Sequence, residues 1–408
     1  MMTAVTKDRR QTPAELFPTD DPIAAREMIG RNDDVQAMAA RLGAAAINVV
    51  LIGPRRTGKT TVCRAATQQL GREGLYVASV DLFHLSRVSQ FADALVEATI
   101  AKRPALAKAF HRARSTGRSF VEALGATLSS KVPGAELEGI ELTLLPQLRR
   151  DPDRYLDYAL RLPQTVAAAD GRRLVLYIDE FQDIVRIGDA DYEGGSDAFA
   201  RKMRAVFQDA PDVVFLFAGS IEHMMRDLFG RRDQAFFNFG SIQQLSPITA
   251  DEWHVGLRRR FDRGGYTISN DGLDLLIALG EDHPRSTMLL AQQSILVAIL
   301  GHTKTISRSG VELALLEAMR SERPRHEAEI EHLRALGPKG VRKTALPVAV
   351  AVARAEPVAP VAGSQWQANR TLKALRDAGI IEGKGRNEVQ VSDPLFGRYL
   401  RALDLPAL

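Results

Sequence analysis

The stretch "GPRRTGKTT" at residues 53–61 is the feature that most constrains this chain. It follows the apolar run 47–52 and matches the pattern G-x-x-x-x-G-K-[ST]. Glycines allow the backbone to wrap so that its N–H groups point at phosphate oxygens, and a helix that begins there adds the positive end of its dipole. The pattern predicts a phosphate-binding loop between a buried strand and a helix. A glycine turn without a ligand is the alternative, and the strand and helix on either side argue against it.

The residues of this loop have separate expected roles. Lys59 is expected to reach the β- and γ-phosphates of a nucleoside triphosphate, and the hydroxyl of Thr60 is expected to bind Mg²⁺. The other loop residues are expected to line the nucleotide, and they are Gly53, Pro54, Arg55, Arg56, Thr57, Gly58 and Thr61.

A second apolar strand ends on acids in "LVLYIDEF", residues 174–181. Because an uncompensated carboxylate at the end of a buried strand is costly, a metal ion is the natural partner of Asp179. We expect Asp179 to hold Mg²⁺, largely through water, and Glu180 to polarise the attacking water. Gln182 could share the role of Glu180, and Asp179 could instead cap the next helix.

Three further positions carry two interpretations each. Ser220 ends the strand 212–220, where it could contact the γ-phosphate or simply begin a turn. Arg231 and Arg232 precede the last strand, and either could reach a neighbouring subunit's nucleotide or lie in a solvated basic turn. Arg285 lies in the first turn of a predicted helix, where a cation opposes the helix dipole, so an anionic partner such as the γ-phosphate would explain it.

The order of apolar runs indicates the fold class. Strands alternate with helices, and each strand is a continuous apolar run, which is typical of a parallel sheet covered on both faces. We predict an α/β P-loop NTPase fold followed by a helical lid and a C-terminal winged-helix domain. The predicted divisions are a flexible leader (1–25), an ATPase domain (26–247) with a helical insertion (86–165), a helical lid (248–305), a helical linker (306–340) and the winged helix (341–408).

Composition excludes several classes of protein. The 408 residues include one cysteine, Cys63, so there is no internal disulfide framework, and we expect Cys63 to be a small buried residue. A net charge of +4 permits a nucleic-acid partner without requiring one. No apolar run reaches the roughly 18–20 residues that a membrane helix needs, so we expect a cytoplasmic protein without a membrane partner.

Five segments together resemble a known group. "MIGRNDDV" (28–35), "GPRRTGKTT", "YIDEFQDI", "FAGS" and "HPRSTMLL" occur in the order seen in STAND-class, AAA+-like ATPases. The group called archaeal-type ATPases, akin to origin-recognition ATPases, is the most similar. The resemblance implies ATP and Mg²⁺ as cofactors and slow, regulatory hydrolysis. It also implies that Ile29, Gly30 and Arg31 border the adenine, that Ser220 is a first sensor and that Arg285 is a second sensor.

The tail 341–408 is predicted to form helix, turn, helix, hairpin and helix, which is the order of a winged helix. Residues 365–378 would be the recognition helix and 382–391 the wing. Trp366 is expected to pack in the core or against the helix cap, with stacking on a base as the less favoured alternative. Leu372, Leu375, Ile380 and Ile381 are expected to anchor the helix. The candidate DNA contacts are Gln365, Gln367, Asn369, Arg370, Lys373 and Arg376 on the helix and Lys384 and Arg386 on the wing.

Two main functions remain open on the sequence, and a third, a processive motor, lacks a supporting pore-loop aromatic pair or set of helicase motifs. The first is an ATP-dependent switch that couples its nucleotide state to duplex DNA through the winged helix. The second is a signalling ATPase whose winged helix contacts protein and whose insertion, residues 86–165, receives a protein partner, with ATP-dependent formation of a homo-oligomer.

Overall fold

A computed structural model describes residues 11–19, 23–101, 150–383 and 388–403. The chain divides into two compact units. The first, which we call the sheet unit, comprises Asn32–Gly53 and Lys59–Leu245. The second, which we call the helical unit, comprises Met1–Arg31, Pro54–Gly58 and Ser246–Leu408.

The sheet unit is built on five parallel strands in the order β2-β3-β4-β1-β5. The residues of β1, β3 and β4 are buried throughout, so both faces of the sheet centre are covered, as parallel strands require. The predicted P-loop NTPase fold is confirmed. The strands are β1 (Val49–Ile52), β2 (Tyr76–Asp81), β3 (Leu174–Asp179), β4 (Val213–Gly219) and β5 (Ser241–Gln244).

Among the described residues, the helices that precede β5 follow the predicted alternation with strands. One short helix belongs to the helical unit, namely α1 (Pro13–Leu16). The others belong to the sheet unit, and they are α2 (Asn32–Leu42), α3 (Lys59–Arg72), α4 (Val88–Ile100), α5 (Pro152–Asp170), α6 (Ile184–Asp191), α7 (Gly195–Gln208) and α8 (Glu222–Gly230).

The ends of the predicted helical insertion are helical. Helices α4 and α5 pack against each other, and Asp151 caps α5 by accepting a hydrogen bond from the backbone N–H of Arg154. Residues 102–149 lie outside the described part of the chain. They include most of the predicted insertion and its proposed protein-partner surface.

An aromatic cluster fixes the turn after β3. The ring of Phe181 is fully buried, and its centroid lies 4.5 Å from that of Phe217 in β4. Phe229 and Phe236 complete the cluster, at 5.4 and 5.0 Å from Phe181. Because packed rings leave little freedom to a neighbouring turn, this cluster holds the backbone that carries Glu180 and Gln182.

The helical unit begins its main part with five helices and a small sheet. The sheet corrects the expectation that residues 248–305 are purely helical. Ser269 and Ser307 each cap the helix that follows, and the residues directly before each cap are extended. These two short extended segments pair as parallel strands. The elements are α9 (Ala250–Arg263), β6 (Thr267–Ile268), α10 (Asn270–Gly280), α11 (Pro284–Leu300), β7 (Thr305–Ile306), α12 (Arg308–Ser321) and α13 (Arg323–Ala335).

The N-terminal region of the chain packs into the core of these helices. Leu16 and Phe17 are buried in the same hydrophobic cluster as Trp253 and Leu273, and the rings of Phe17 and Phe261 lie 4.8 Å apart. The prediction of a flexible leader is therefore wrong for residues 12–17, because two large apolar side chains fix this segment in a core.

The last elements occur in the predicted order. Leu375, Ile380 and Ile381 are buried in one cluster with Phe396 and Leu400, and Leu372 packs against it, so the expected anchors are confirmed. Strands β8 and β9 form an antiparallel hairpin. The elements are α14 (Lys339–Arg354), α15 (Val358–Ala362), α16 (Gln365–Asp377), β8 (Ile381–Gly383), β9 (Val389–Val391) and α17 (Pro394–Arg401). Among the helices of the described residues, none has the length and apolar character needed to cross a bilayer.

Candidate nucleotide-binding site

Residues 53–58 follow β1 and precede α3, as the sequence predicts. Gly58 has φ +93°, which is favourable only for glycine, and the hydroxyl of Thr57 donates to the carbonyl oxygen of Pro54 at 2.9 Å. Lys59 is buried as the first residue of α3. Since the first four N–H groups of a helix lack partners within the helix, this end of α3 suits an anion.

The two predicted metal ligands are in contact. The hydroxyl of Thr60 donates to Oδ2 of Asp179 at 3.0 Å, across the start of α3 and the end of β3. Asp179 is only 7% exposed, and burial raises the pKa of its carboxyl above the ordinary value. Its other oxygen, Oδ1, accepts a hydrogen bond from the backbone N–H of Glu180 at 3.1 Å. A hydroxyl beside a carboxylate is a donor set that fits Mg²⁺, which prefers oxygen ligands.

Glu180 is held by the two residues expected to act with it. Its Oε2 accepts hydrogen bonds from the hydroxyl of Ser220 at 2.6 Å and from the amide of Gln182 at 2.5 Å. Glu180 also has φ +51°, a left-handed conformation that costs about 1–3 kcal/mol and concentrates at functional sites. Ser220 thus does more than begin a turn, because it orients the carboxylate.

Gly219 makes this arrangement possible. A Cβ added at this position would lie 2.4 Å from Cγ of Met225 and 2.6 Å from Oε1 of Gln182. Real side chains do not tolerate such distances, so only glycine lets β4 approach the Glu180 turn this closely. The sequence "FAGS" gave no sign of this requirement, because the crowding comes from residues elsewhere in the chain.

Cys63 in α3 is fully buried, as expected. Burial raises the pKa of its thiol far above the ordinary value. Because the thiolate is the nucleophilic form, Cys63 has a packing role and no role as a nucleophile.

Within the helical unit, the predicted adenine-bordering residues contact the phosphate loop. Nη2 of Arg31 donates to the carbonyl oxygen of Thr57 at 3.3 Å, and its Nη1 donates to that of Ser246. Ile29 is buried against Gly256, and Gly30 has φ +64° beside the carboxylate of Glu252. The contact with adenine itself remains a prediction.

Arg285 has an anionic partner that the sequence did not indicate. Its guanidinium donates two hydrogen bonds to Glu322, at 2.8 and 3.0 Å, and both residues are buried. Arg285 was expected to have an anionic partner because it lies in the first turn of α11. In the structure that partner is a carboxylate 37 residues later in the chain. The second-sensor role of Arg285 remains a prediction.

The Arg285–Glu322 pair belongs to a larger network within the helical unit. Arg325 donates to Glu322 and also to Asp393, at 2.7 Å. Asp393 caps α17 by accepting from two backbone N–H groups, and Nη1 of Arg56 lies 3.9 Å from it. Burial opposes ionisation of Asp393, yet the charges of His283 and Arg325 hold its pKa below the ordinary value. The loop residue Arg56 therefore approaches a charged group of the C-terminal region.

The two finger candidates lie in an exposed turn. Arg231 makes a bidentate pair with Asp233, at 3.1 and 2.7 Å, and Arg232 is exposed. This is the geometry of a solvated basic turn. A role in a neighbouring subunit's site remains a prediction for both arginines.

The candidate DNA contacts divide into three groups. Gln365, Asn369, Arg370 and Lys373 are exposed on α16. Gln367 and Arg376 are half-buried, and Gln367 points toward the hydroxyl groups of Thr344 and Thr371, each 3.4 Å from its amide nitrogen, so its place on the exposed face is a wrong prediction. Lys384 and Arg386 lie outside the described residues.

Trp366 was expected to be packed, and this is also wrong. Its side chain is 68% exposed, because Ala368, Thr371 and Leu375 form the buried side of α16. Successive helical positions turn by about 100°, which places Trp366 on the opposite side.

The parallel sheet, the phosphate loop and the Thr60–Asp179 pair define a P-loop NTPase. Residues 27–196 match the family model described as "AAA ATPase domain". This part of the chain is therefore similar to AAA ATPase domains, and the fold around it is that of a P-loop NTPase.

Two solved structures share the fold over nearly the whole chain. A Walker-type ATPase of Pyrococcus abyssi superposes with a TM-score of 0.66 and 12% identity, covering 95% of this chain and 99% of that one. The ORC2 protein of Aeropyrum pernix, solved as ADPNP–ADP complexes, superposes with a TM-score of 0.54 and 17% identity, covering 97% and 96%. None of the curated proteins compared with the chain matches it.

Proposed function

We propose that this protein is an ATP-dependent molecular switch that slowly hydrolyses Mg·ATP and couples its nucleotide state to duplex DNA. The observation that carries the ATPase part is the contact between Thr60 and Asp179 beside the oriented carboxylate of Glu180. The ORC2 protein, which shares the fold, was solved with ADPNP and ADP, and this supports an adenine nucleotide as the ligand.

Each residue of the site has a role in this proposal. Lys59 and the N–H groups of the loop would bind the phosphates, and Thr60 and Asp179 would hold Mg²⁺. The metal, when bound, would offset phosphate charge. Glu180 would accept a proton from the attacking water, and Ser220 and Gln182 keep its carboxylate in place. Such catalysis rests on positioning and charge stabilisation, as in other phosphoryl-transfer enzymes.

The remaining predicted residues would sense the bound nucleotide or complete the site of a neighbouring copy. Arg285 would sense the γ-phosphate, and Arg231 or Arg232 would reach the site of a neighbouring copy in an ATP-dependent homo-oligomer. The charged network from Arg285 to Asp393 supports a relay to the C-terminal elements, because it joins the start of α11 to the cap of α17.

The DNA part rests on the C-terminal elements. Their order of helices and hairpin is that of a winged helix, with α16 as recognition helix and the β8–β9 hairpin as wing. The exposed side of α16 carries amides and cations that suit base edges and phosphates.

Fluorescence anisotropy of a labelled duplex tests the proposal. The duplex is titrated with protein with and without Mg·ATP, at two salt concentrations, and phosphate release is measured in parallel. We expect DNA binding that depends on nucleotide and weakens steeply with salt. Absence of binding in every nucleotide state would refute the DNA part and leave the ATPase part standing.

The second candidate is a signalling ATPase whose C-terminal elements contact protein. One observation favours it, because Lys373 pairs with Asp377 at 3.0 Å and is thereby partly neutralised. This candidate predicts ATP-dependent self-association in light scattering together with no change in the anisotropy of the labelled duplex, and the absence of DNA binding is what separates it from the first candidate.

A further inference from the structure

Trp366 is the largest side chain among the exposed apolar residues of the described chain. A tryptophan buries about 150–250 Å² when packed, and a ring left in water forgoes the stabilisation that this burial gives. Single exposed leucines are ordinary on protein surfaces, whereas a large exposed aromatic ring on a helix with an otherwise polar exposed side is informative.

The surroundings of Trp366 are polar and positively charged. The exposed positions among the first nine residues of α16 are Gln365, Trp366, Asn369, Arg370 and Lys373. The segment from Gln365 to Arg376 contains no acidic residue, and the one carboxylate of α16, Asp377 at its last position, pairs with Lys373 at 3.0 Å. The centre of a protein–protein interface is usually apolar and poor in charge, so a lone aromatic among amides and cations fits a nucleic acid better.

Contacts within this group orient it. The guanidinium of Arg370 lies over the indole of Trp366, 5.4 Å from the ring centroid, and the amide of Gln365 donates to Oδ1 of Asn369 at 3.0 Å. The cation–π contact restrains the ring against the helix and places a positive charge beside its flat face. The aromatic plane, the amide pair and the cation are therefore presented together at the N-terminal end of the helix.

We propose that Trp366 contacts the base edges in the major groove of duplex DNA and reads the methyl group of thymine. This inference rests on the proposed winged-helix function and assigns its specificity. The N-terminal residues of a recognition helix contact base edges, apolar side chains pack on the thymine methyl, and Asn or Gln pairs with adenine. Trp366 together with Asn369 and Gln365 thus selects A·T pairs, and Arg370 and Lys373 bind the backbone.

The test uses duplexes that differ only in the thymine methyl group. A labelled alternating dA–dT duplex is compared with the same duplex carrying dU in place of dT, with Mg·ATP present. We expect the wild-type protein to bind the dU duplex several-fold more weakly. Trp366→Ala should bind the dA–dT duplex about tenfold more weakly than wild type, as for an interface anchor, and should no longer distinguish dT from dU. Its salt dependence should be unchanged, whereas Arg370→Ala should lower the slope by about one.

Leu300→Ala is the matched control, since Leu300 is 76% exposed and also apolar. It should bind both duplexes as the wild type does. The chain has two tryptophans, and Trp253 is buried, so a DNA-induced change in fluorescence that disappears in Trp366→Phe would report contact at Trp366 directly.

The outcomes separate this inference from the function on which it rests. If the wild type binds neither duplex, the DNA function fails. If the wild type binds both equally and Trp366→Ala behaves as Leu300→Ala does, the DNA function stands and the role of Trp366 is refuted. If Trp366→Ala instead abolishes ATP-dependent self-association and leaves DNA binding intact, this face is a protein interface and the proposal is wrong.

Discussion

Replacing Glu322 by Gln would remove the charge that partners Arg285 in the helical unit. Glu322 accepts two hydrogen bonds from Arg285 and one from Arg325, and its side chain is 11% exposed. Breaking a buried ion pair leaves one charge uncompensated and costs about 3–5 kcal/mol. The side chain of Arg325 is 24% exposed, so water reaches part of the network. We therefore expect the lower end, a loss of about 3 kcal/mol in the free energy of unfolding.

Urea unfolding followed by tryptophan fluorescence measures this loss. In a Trp366→Phe background, the remaining Trp253 reports on the core that it shares with Met288 and Leu289 of α11. With a slope of about 1–3 kcal/mol per molar urea, a loss of about 3 kcal/mol lowers the midpoint by roughly 1–3 M.

Glu331→Gln is the matched control in α13, the helix that begins directly after Glu322. Glu331 pairs with Arg334 at 2.6 Å, but the two side chains are 71% and 60% exposed, so this pair should contribute at most about 1 kcal/mol. A double-mutant cycle combines Glu322→Gln with Arg285→Met. The double variant should lose at least about 1 kcal/mol less unfolding free energy than the sum of the two single losses. Equal losses for Glu322→Gln and Glu331→Gln, or additive losses in the cycle, would refute a stabilising pair.

Three further outcomes are expected in the sheet unit. Glu180→Gln should slow hydrolysis by roughly 10²–10⁴-fold while ATP still binds, which phosphate release and nucleotide titration would show; unchanged hydrolysis would move the water-orienting role elsewhere. Burial raises the pKa of Asp179 in the folded protein above its ordinary value of 3.8, so the folded state holds this proton more tightly than the unfolded state does. Without Mg²⁺, the unfolding free energy should therefore fall as the pH rises from near 3.8 through the raised pKa. Asp179→Asn should remove that dependence and stabilise the metal-free protein at neutral pH by about 1 kcal/mol, measured by urea unfolding. Gly219→Ala should destabilise the protein by about 1–3 kcal/mol and reduce hydrolysis, because the added methyl displaces Gln182 and Met225; a fully active, equally stable variant would contradict this.

The sequence was sufficient where the determining pattern is local. The apolar runs of β1, β3 and β4 are buried on both faces and therefore mark their own strands. The loop motif and the acids after β3 follow those strands directly. Because parallel strands end at one edge of a sheet, the contacts of Thr60 with Asp179 and of Ser220 with Glu180 follow from chain positions alone.

The sequence was insufficient where a distant partner decides the outcome. Arg285 was expected to have an anionic partner, but nothing local in the sequence shows that this partner is Glu322, 37 positions away. Trp366 looked like a packing residue, but three small or apolar residues on the other side of α16 fill the interface with the core. Leu16 and Phe17 lie in a polar, proline-punctuated stretch, and only the core that they enter shows their role.

The arginine–carboxylate network has a thermodynamic consequence for any switch built on it. Glu322 is shared by Arg285 and Arg325, and Arg325 also binds the cap residue of α17, Asp393. A ligand that draws Arg285 away changes the charge balance that Arg325 and Asp393 experience. Coupling of this kind is reciprocal. Whatever factor ATP applies to the affinity of a C-terminal partner, that partner must apply the same factor to the affinity for ATP.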